Sequence, residues 1–341
     1  MSPNLPPLNR FDLTDFELHC GTVLPHAQLA YRTYGTLNAD RSNAILYPTS
    51  YGVVDADVAW LIGKNRILDP ERYFIIAVNM LGNGASTSPS TLWDSFPDGN
   101  FPRISHVDNI AIQHRMIRET FGIERLALVY GWSMGAQQAY HWGALLPDHV
   151  ARIFAICGTA KTSIHNWVFL DGLRAALKAD PAWDGTRFTE RPERGLRAFG
   201  RIYAGWALSQ GFYRNRLFED LGHETVESYL TAAWEPNFLH RDPHNLLSLI
   251  DTWQRCDISD NARFGGDLSA ALKAIRCPAV AMASTTDLYF RAHDIRGEAA
   301  AMTRATYAEL DTLWGHRGGN PEFSSEDEAV VRASVRQLLA S

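Results

Sequence analysis

The chain has 341 residues, 46% of them hydrophobic and 21% charged, with a net charge of −6. That length buries a large core, and the missing basic excess argues against a nucleic-acid partner or an anionic membrane surface. Cys20, Cys157, Cys256 and Cys277 are far apart and show no Cys-x-x-Cys spacing. The expectation is therefore no disulfide framework, no metal site and a reducing compartment. The opening Met1-Ser-Pro-Asn-Leu-Pro-Pro has no positive segment leading into an apolar run, and no uncharged apolar stretch is long enough to span a bilayer. A cytoplasmic protein without a signal peptide or membrane segment is the reading.

Taken in order, Phe16–Cys20 and Ala27–Tyr34 roughly alternate apolar and polar side chains, as half-exposed antiparallel strands do. Ala44-Ile-Leu-Tyr47 is an apolar run that ends in Pro48-Thr-Ser-Tyr-Gly52. A helix is expected around Ala59–Ile62, then a buried strand over Arg72–Asn79 and a glycine-bearing turn, Met80-Leu-Gly-Asn-Gly84. Residues 108–121 space their apolar side chains as a helix does. The uncharged run Leu126–Tyr130 predicts a buried parallel strand, followed by a helix over Ala136–Leu146 that halts near Pro147. Val150–Ile156 is the next strand. Apolar strands alternating with helices predict an α/β fold: a mostly parallel, doubly wound sheet with antiparallel strands at its start.

Residues 161–260 break that rhythm. They carry Trp167, Trp183, Trp206, Trp234 and Trp253 and amphipathic stretches at Leu170–Leu177 and His223–Ala233, with no clear buried strand. The strand pattern resumes at Cys277–Ala283, then come a strand at Arg304–Leu310 and a helix at Ser325–Leu339. The division expected is a core of residues 1–160 and 261–341 with a helical lid, 161–260, inserted before the next strand. The 10 Trp, 12 Tyr and 16 Phe fill a core and can also line an apolar pocket.

Between the strand at 126–130 and its helix stands Gly131-Trp-Ser-Met-Gly135. Strand, G-x-S-x-G turn and helix make a nucleophile elbow, which lifts a serine hydroxyl above the sheet edge. A serine is a weak nucleophile and needs a base and an orienting acid, which follow it in that architecture at later strand ends. The run Ala279–Ala283 leads into Ser284-Thr-Thr-Asp287, and the last strand region leads into Leu313-Trp-Gly-His316. Ser133, Asp287 and His316 are thus the expected triad. Asp257, Asp260, Asp311, His240 and His244 lack those positions. The developing oxyanion requires two donors. One is the amide of Met134. The other is placed on the loop after the early strand, at Tyr51, since no His-Gly-Gly-Gly run is present. Asn83 and Ser86 sit in another rim loop, where turn chemistry is an equal reading.

Ala30-Tyr-Arg-Thr-Tyr-Gly-Thr-Leu37, Trp60-Leu-Ile-Gly63, Leu68-Asp-Pro-Glu-Arg-Tyr-Phe74, Asn79-Met-Leu-Gly-Asn-Gly-Ala-Ser-Thr-Ser-Pro89, Phe101-Pro-Arg-Ile-Ser-His-Val-Asp108 and the elbow itself span most of the chain. In these segments the sequence resembles the homoserine O-acetyltransferase family of the α/β-hydrolase superfamily. The resemblance implies a homodimer with a helical lid, an acyl-serine intermediate, and the triad Ser133, Asp287 and His316. Three departures follow. The family's Gly-His-Asp, whose acid is implicated in holding the substrate amino group, is here Gly315-His-Arg317. Trp132 stands where the acetyltransferases favour a small residue. Ser209-Gln-Gly-Phe-Tyr-Arg214 only loosely matches their Ser-Tyr-Arg substrate element. Arg317 repels an ammonium group. The reading is thus a serine carboxylesterase for small or medium acyl esters, with Trp132, Asn83, Arg214 and Arg317 as substrate-binding candidates and no cofactor. The alternative is an O-acyltransferase using acetyl-CoA as co-substrate.

Overall fold

The computed structural model describes residues 5–92, 94–96 and 100–341. Residues 1–4, on which the signal-peptide reading partly rests, lie outside that set. Among the described residues eight strands form one sheet: β1 (Asn9–Glu17), β2 (Val23–Tyr34), β3 (Ala44–Pro48), β4 (Phe74–Val78), β5 (Leu128–Trp132), β6 (Ile153–Ile156), β7 (Ala279–Ser284) and β8 (Ala305–Leu310). Their spatial order is β1-β2-β4-β3-β5-β6-β7-β8. β1 and β2 run antiparallel to their neighbours, and every pairing from β4 to β8 is parallel.

The first strand differs from the expectation at 16–20. It ends at Glu17 because residues 18–22 close a hairpin, with Gly21 N–H donating to Leu18 O at 2.7 Å and Leu18 N–H to Thr22 O at 2.9 Å. The expected helix near 59–62 is a 3₁₀ turn over Asp55–Leu61. The central strand is shifted two residues past its apolar run, since Gly131 and Trp132 still pair with Ala155 and Ile156. Helix α1 (His106–Phe121) starts on Ser105, whose hydroxyl accepts from Asp108 N–H, and α2 (Met134–Leu145) starts directly after Ser133.

Central strands are buried on both faces, which is why they read as continuous apolar runs. Leu46, Ile76 and Val129 point to the side that holds α1 and α2, while Ile45, Ile75 and Leu128 point to the other. Each such side chain, fully buried, stabilises the fold by about 1.5–3 kcal/mol.

Between β6 and β7 the chain leaves the sheet for α3 (Ile164–Lys178), α4 (Glu193–Ala207), α5 (Gln210–Arg214), α6 (Val226–Tyr229), α7 (Glu235–Leu239) and α8 (Pro243–Gln254). The amphipathic stretch at 223–233 is α6 followed by a π-helical turn over Leu230–Trp234. Then α9 (Leu268–Lys273), α10 (Ala292–Ala301) and α11 (Ser325–Ala340) complete the core. Entry and exit of the inserted helices are stitched together. Thr162 N–H donates to Cys256 O at 2.9 Å, Ile258 N–H to Ala160 O at 3.1 Å, and Lys161 pairs with Asp257 at 2.7 Å. One apolar cluster runs from Leu29 and Val129 on the sheet to Phe199, Phe238 and Trp253 in the insertion. The insertion is therefore fused to the core by packing.

Candidate active site

Ser133 sits at φ +59° and ψ −125°, a conformation that side chains rarely adopt. It is held by its N–H donating to Ile156 O at 3.0 Å and by Gln137 N–H donating to its carbonyl at 3.1 Å. The glycines of the elbow permit this. A Cβ on Gly131 would lie 2.1 Å from Gly135 O, and one on Gly135 would lie 2.6 Å from Pro48 O. Strand, turn and helix can close this tightly only where no Cβ exists.

Asp287 lies three residues beyond β7, and His316 lies in a 3₁₀ turn, Gly315–Gly319, beyond β8. The structure brings them together: His316 Nδ1 is 2.7 Å from Asp287 Oδ2, with the two side chains 3% and 0% exposed. The other carboxylate oxygen accepts from Tyr289 N–H at 2.7 Å and Phe290 N–H at 3.2 Å. A carboxylate oxygen accepts only, so Nδ1 carries the proton and Nε2 presents a lone pair in the neutral ring. Tyr289, Phe290 and Trp132 surround that ring at centroid distances of 4.7, 5.6 and 5.1 Å. Trp132 Nε1–H also donates to His316 O at 3.2 Å. Trp132 therefore braces the histidine turn as well as lining the cavity.

Ser133 and His316 line one cavity of about 520 Å³. Tyr51 lines it too, but its hydroxyl is committed elsewhere, donating to Leu246 O at 3.1 Å. What Tyr51 offers is its backbone N–H. Among the described residues that amide has no hydrogen-bond partner, and neither does the amide of Met134 at the start of α2. Ser50 clamps the loop to the elbow by donating to Trp132 O and accepting from Gly135 N–H at 3.3 Å. Sequence reasoning missed Ser50, because one serine in a loop carries no signal until its contact across 82 residues is seen.

The remaining site expectations divide. Arg317 lines the cavity, 4.0 Å from Glu322 and with Trp234 and Phe323 against its guanidinium at 5.8 and 5.0 Å. Asn83 does not line it. Its amide nitrogen donates to Asn79 Oδ1 at 3.0 Å and Val53 O at 3.2 Å, and its oxygen accepts from Ala85 and Ser86 N–H. Asn83 is a loop brace. Ser86 is likewise engaged, accepting from Ala30 N–H and donating to Asn79 O. Arg214 is also corrected: α5 turns Phe212 inward and leaves Arg214 exposed, outside the cavity wall. The walls that sequence reasoning did not name come from the insertion, chiefly Tyr203, Phe238 and Arg241. Helical periodicity marks an inward face but does not say which inward residues meet a cavity.

Among the described residues, Cys157, Asp287 and His316 are the one grouping of three metal-ligating side chains close enough to share an ion. Two of them are already hydrogen-bonded to each other.

An elbow serine, an acid–histidine pair at later strand ends and a mostly parallel sheet define the α/β-hydrolase class. The family described as the alpha/beta hydrolase fold matches residues 59–312, and the chain belongs to it. Over 340 residues it is 36% identical to the ethyl acetate hydrolase of Pseudomonas veronii, covering 98% of this chain and 96% of that one. The solved structure of an acetylester hydrolase from Corynebacterium glutamicum has a TM-score of 0.94 to it at 35% identity, covering 98% and 96%. A homoserine O-acetyltransferase of Bradyrhizobium diazoefficiens is 33% identical over 339 residues, covering 88% of this chain and 82% of that one. The resemblance thus spans ester hydrolases and, at lower identity, the acetyltransferases. No helix among the described residues is long and apolar enough to cross a membrane.

Proposed function

We propose that the protein is a serine carboxylesterase that cleaves small or medium acyl esters through an acyl-serine intermediate. The observation that carries this is the buried His316–Asp287 pair at 2.7 Å, opening on the same cavity as the elbow serine. In the first half-reaction His316 Nε2 takes the proton of Ser133 Oγ as that oxygen bonds to the ester carbonyl carbon. The carbonyl oxygen becomes an oxyanion that accepts from the Tyr51 and Met134 amides. Collapse breaks the ester C–O bond, and His316 returns the proton to the departing alcohol. In the second half, water loses a proton to His316 and attacks the acyl carbon. The carboxylic acid leaves and Ser133 regains its hydrogen. Asp287 keeps Nδ1 protonated and stabilises the imidazolium in both halves. No step calls for a cofactor.

Two relatives with esterase activity in their names support hydrolysis over transfer. Arg317 supports it physically: a guanidinium on the cavity wall raises the energy of an acceptor that brings an ammonium group beside it. The reading extends to a cytoplasmic homodimer. Four free cysteines support the compartment, and the exposed stripe Ile164, Trp167 and Val168 on α3 supports the assembly. The deciding experiment compares p-nitrophenyl acetate hydrolysis with acetyl transfer from acetyl-CoA to homoserine on one preparation. Fast hydrolysis with little acetyl-homoserine is expected, and the reverse ratio would overturn the assignment.

A further inference from the structure

A relay of side-chain amides runs through the core beside the elbow, and the acyl-transfer scheme gives it no role. Trp142 Nε1–H donates to Gln113 Oε1 at 2.9 Å, and Gln113 Nε2 donates to Gln138 Oε1 at 2.7 Å. Gln138 Nε2 then donates to Thr49 O at 3.0 Å and reaches Met134 O at 3.4 Å. Gln113, Gln138 and Trp142 are fully buried, and Thr49 is 1% exposed. The direction of the relay is fixed at both ends. An indole N–H only donates, so it draws the Gln113 oxygen toward it and turns the Gln113 nitrogen to Gln138. The Gln138 oxygen therefore faces Gln113, and its nitrogen faces two backbone carbonyls, which only accept. Reversing either amide would set oxygen against oxygen on one side and N–H against N–H on the other.

Both carbonyls belong to segments that carry an oxyanion donor in the proposed scheme. Met134 opens α2, and Thr49 stands two residues before Tyr51. Thr49 is otherwise tied to the sheet, its N–H donating to Val78 O at 2.9 Å and its hydroxyl accepting from Met80 N–H at 3.0 Å. The peptide bonds here are trans and planar, so holding the Thr49 carbonyl also holds the plane of the peptide that leads into Ser50. The Gln138 side chain thus joins the base of the Tyr51 loop to the first turn of α2, across 89 residues of chain.

We propose that Gln138 is a positioning residue for the oxyanion hole: its side-chain amide ties the Thr49 carbonyl to α2 and so sets the spacing between the Tyr51 and Met134 amides. The proposal rests on the acyl-serine reading given above. Its consequence is kinetic. Negative charge gathers on the carbonyl oxygen only as the transition state forms, so loosened donors lower kcat and leave KM little changed.

The test compares p-nitrophenyl acetate hydrolysis by the wild type, Gln138→Met and Gln138→Glu, well below their melting temperatures. Gln138→Met keeps the length of the side chain and removes its donor. It should lower kcat about tenfold with KM within about twofold, a smaller loss than the roughly 10² to 10³ for removing an oxyanion donor outright. Affinity for an aliphatic trifluoromethyl ketone should fall in parallel. In that adduct Ser133 Oγ bonds to the ketone carbon, His316 takes the serine proton, and the ketone oxygen becomes the oxyanion. Gln138→Glu can donate only while its carboxyl is protonated, so its kcat relative to wild type should be highest at the acid end and fall as pH rises. An amide that serves stability alone would lower the melting temperature and leave kcat and ketone affinity unchanged, and that result overturns the proposal. If Gln138→Met does not fold, Gln138→Glu decides, and a kcat equal to wild type at every pH overturns the proposal. Ser133→Ala run alongside separates the two ideas. If it retains turnover, the acyl-serine reading itself is wrong; if it is inactive while both Gln138 variants match the wild type, only the role of Gln138 is lost.

Discussion

The sheet and the inserted helices contribute to one cavity in different ways. From the sheet come Ser133, Asp287 and His316, each at the end of a strand or in the turn just beyond it, with backbone bonds holding the elbow and the acid in place. From the insertion come Tyr203, Ala207, Ala233, Trp234, Phe238 and Arg241, which are walls. Phe199, Tyr203 and Phe238 lean on one another at centroid distances of 4.8 to 6.1 Å and join the insertion to Tyr51. In the proposed scheme bond breaking is thereby separated from substrate choice, since a wall can change shape without moving the reacting atoms.

The separation breaks first if the sheet residues are dispensable. Ser133→Ala should reduce kcat by roughly four orders of magnitude or more, and Asp287→Asn by about 10³ to 10⁴ through the wrong histidine tautomer. Both are checked by ester turnover, with circular dichroism showing an unchanged fold. Residual activity within tenfold of wild type in either variant would mean that the sheet does not carry the chemistry.

The sheet side also contains a buried histidine pair where the first turn of α1 meets the body of α2. His106 is pushed down from 6.5 to about 3 and His141 to about 4, in both cases by burial first, with His141 adding to the effect on His106. Both are neutral in the folded protein at pH 7. Between roughly pH 6.5 and pH 4 the unfolded chain binds the extra protons, so stability falls as pH falls through that window. The slope is about 1.4 kcal/mol per pH unit for each histidine. Urea midpoints at pH 7 and pH 5 measure it, and His141→Gln should flatten the difference.

Changes in the insertion should be milder and selective. Ala233→Trp narrows the cavity and should cut kcat/KM for longer acyl esters about tenfold while acetate esters change little. A uniform loss across chain lengths would show that the insertion also sets the chemistry. The smallest effect is expected at the boundary of the two regions. Arg317→Asp exchanges the cavity-wall guanidinium for a carboxylate and should raise homoserine acetylation severalfold from a low base, read as acetyl-homoserine formed from acetyl-CoA. No rise would remove Arg317 from the account of specificity.

Much of the architecture was legible from local pattern. Strands buried on both faces write themselves as uncharged runs, and the elbow is written as glycines where a Cβ would collide. Strand-end position brought Asp287 and His316 forward as candidates, and the structure holds them 2.7 Å apart because the sheet delivers successive strand ends to one rim. Arg214 and Asn83 show where such reasoning stops. Each sat in a suggestive segment, yet one is turned outward and the other is consumed in its own loop.

By itself, then, the sequence determined the order of strands and helices, the serine turn, and which acid and histidine end a strand. Those features depend on side-chain size and periodicity within a few residues. The tertiary structure alone decided that Ser50 ties its loop to a strand end 82 residues away, that the Tyr51 hydroxyl is engaged by Leu246 O, and that Cys157 stands behind the acid. It also decided which faces of the inserted helices become the wall. The reason is physical: a contact across the chain depends on how separate elements pack, and packing leaves no periodic mark on either partner.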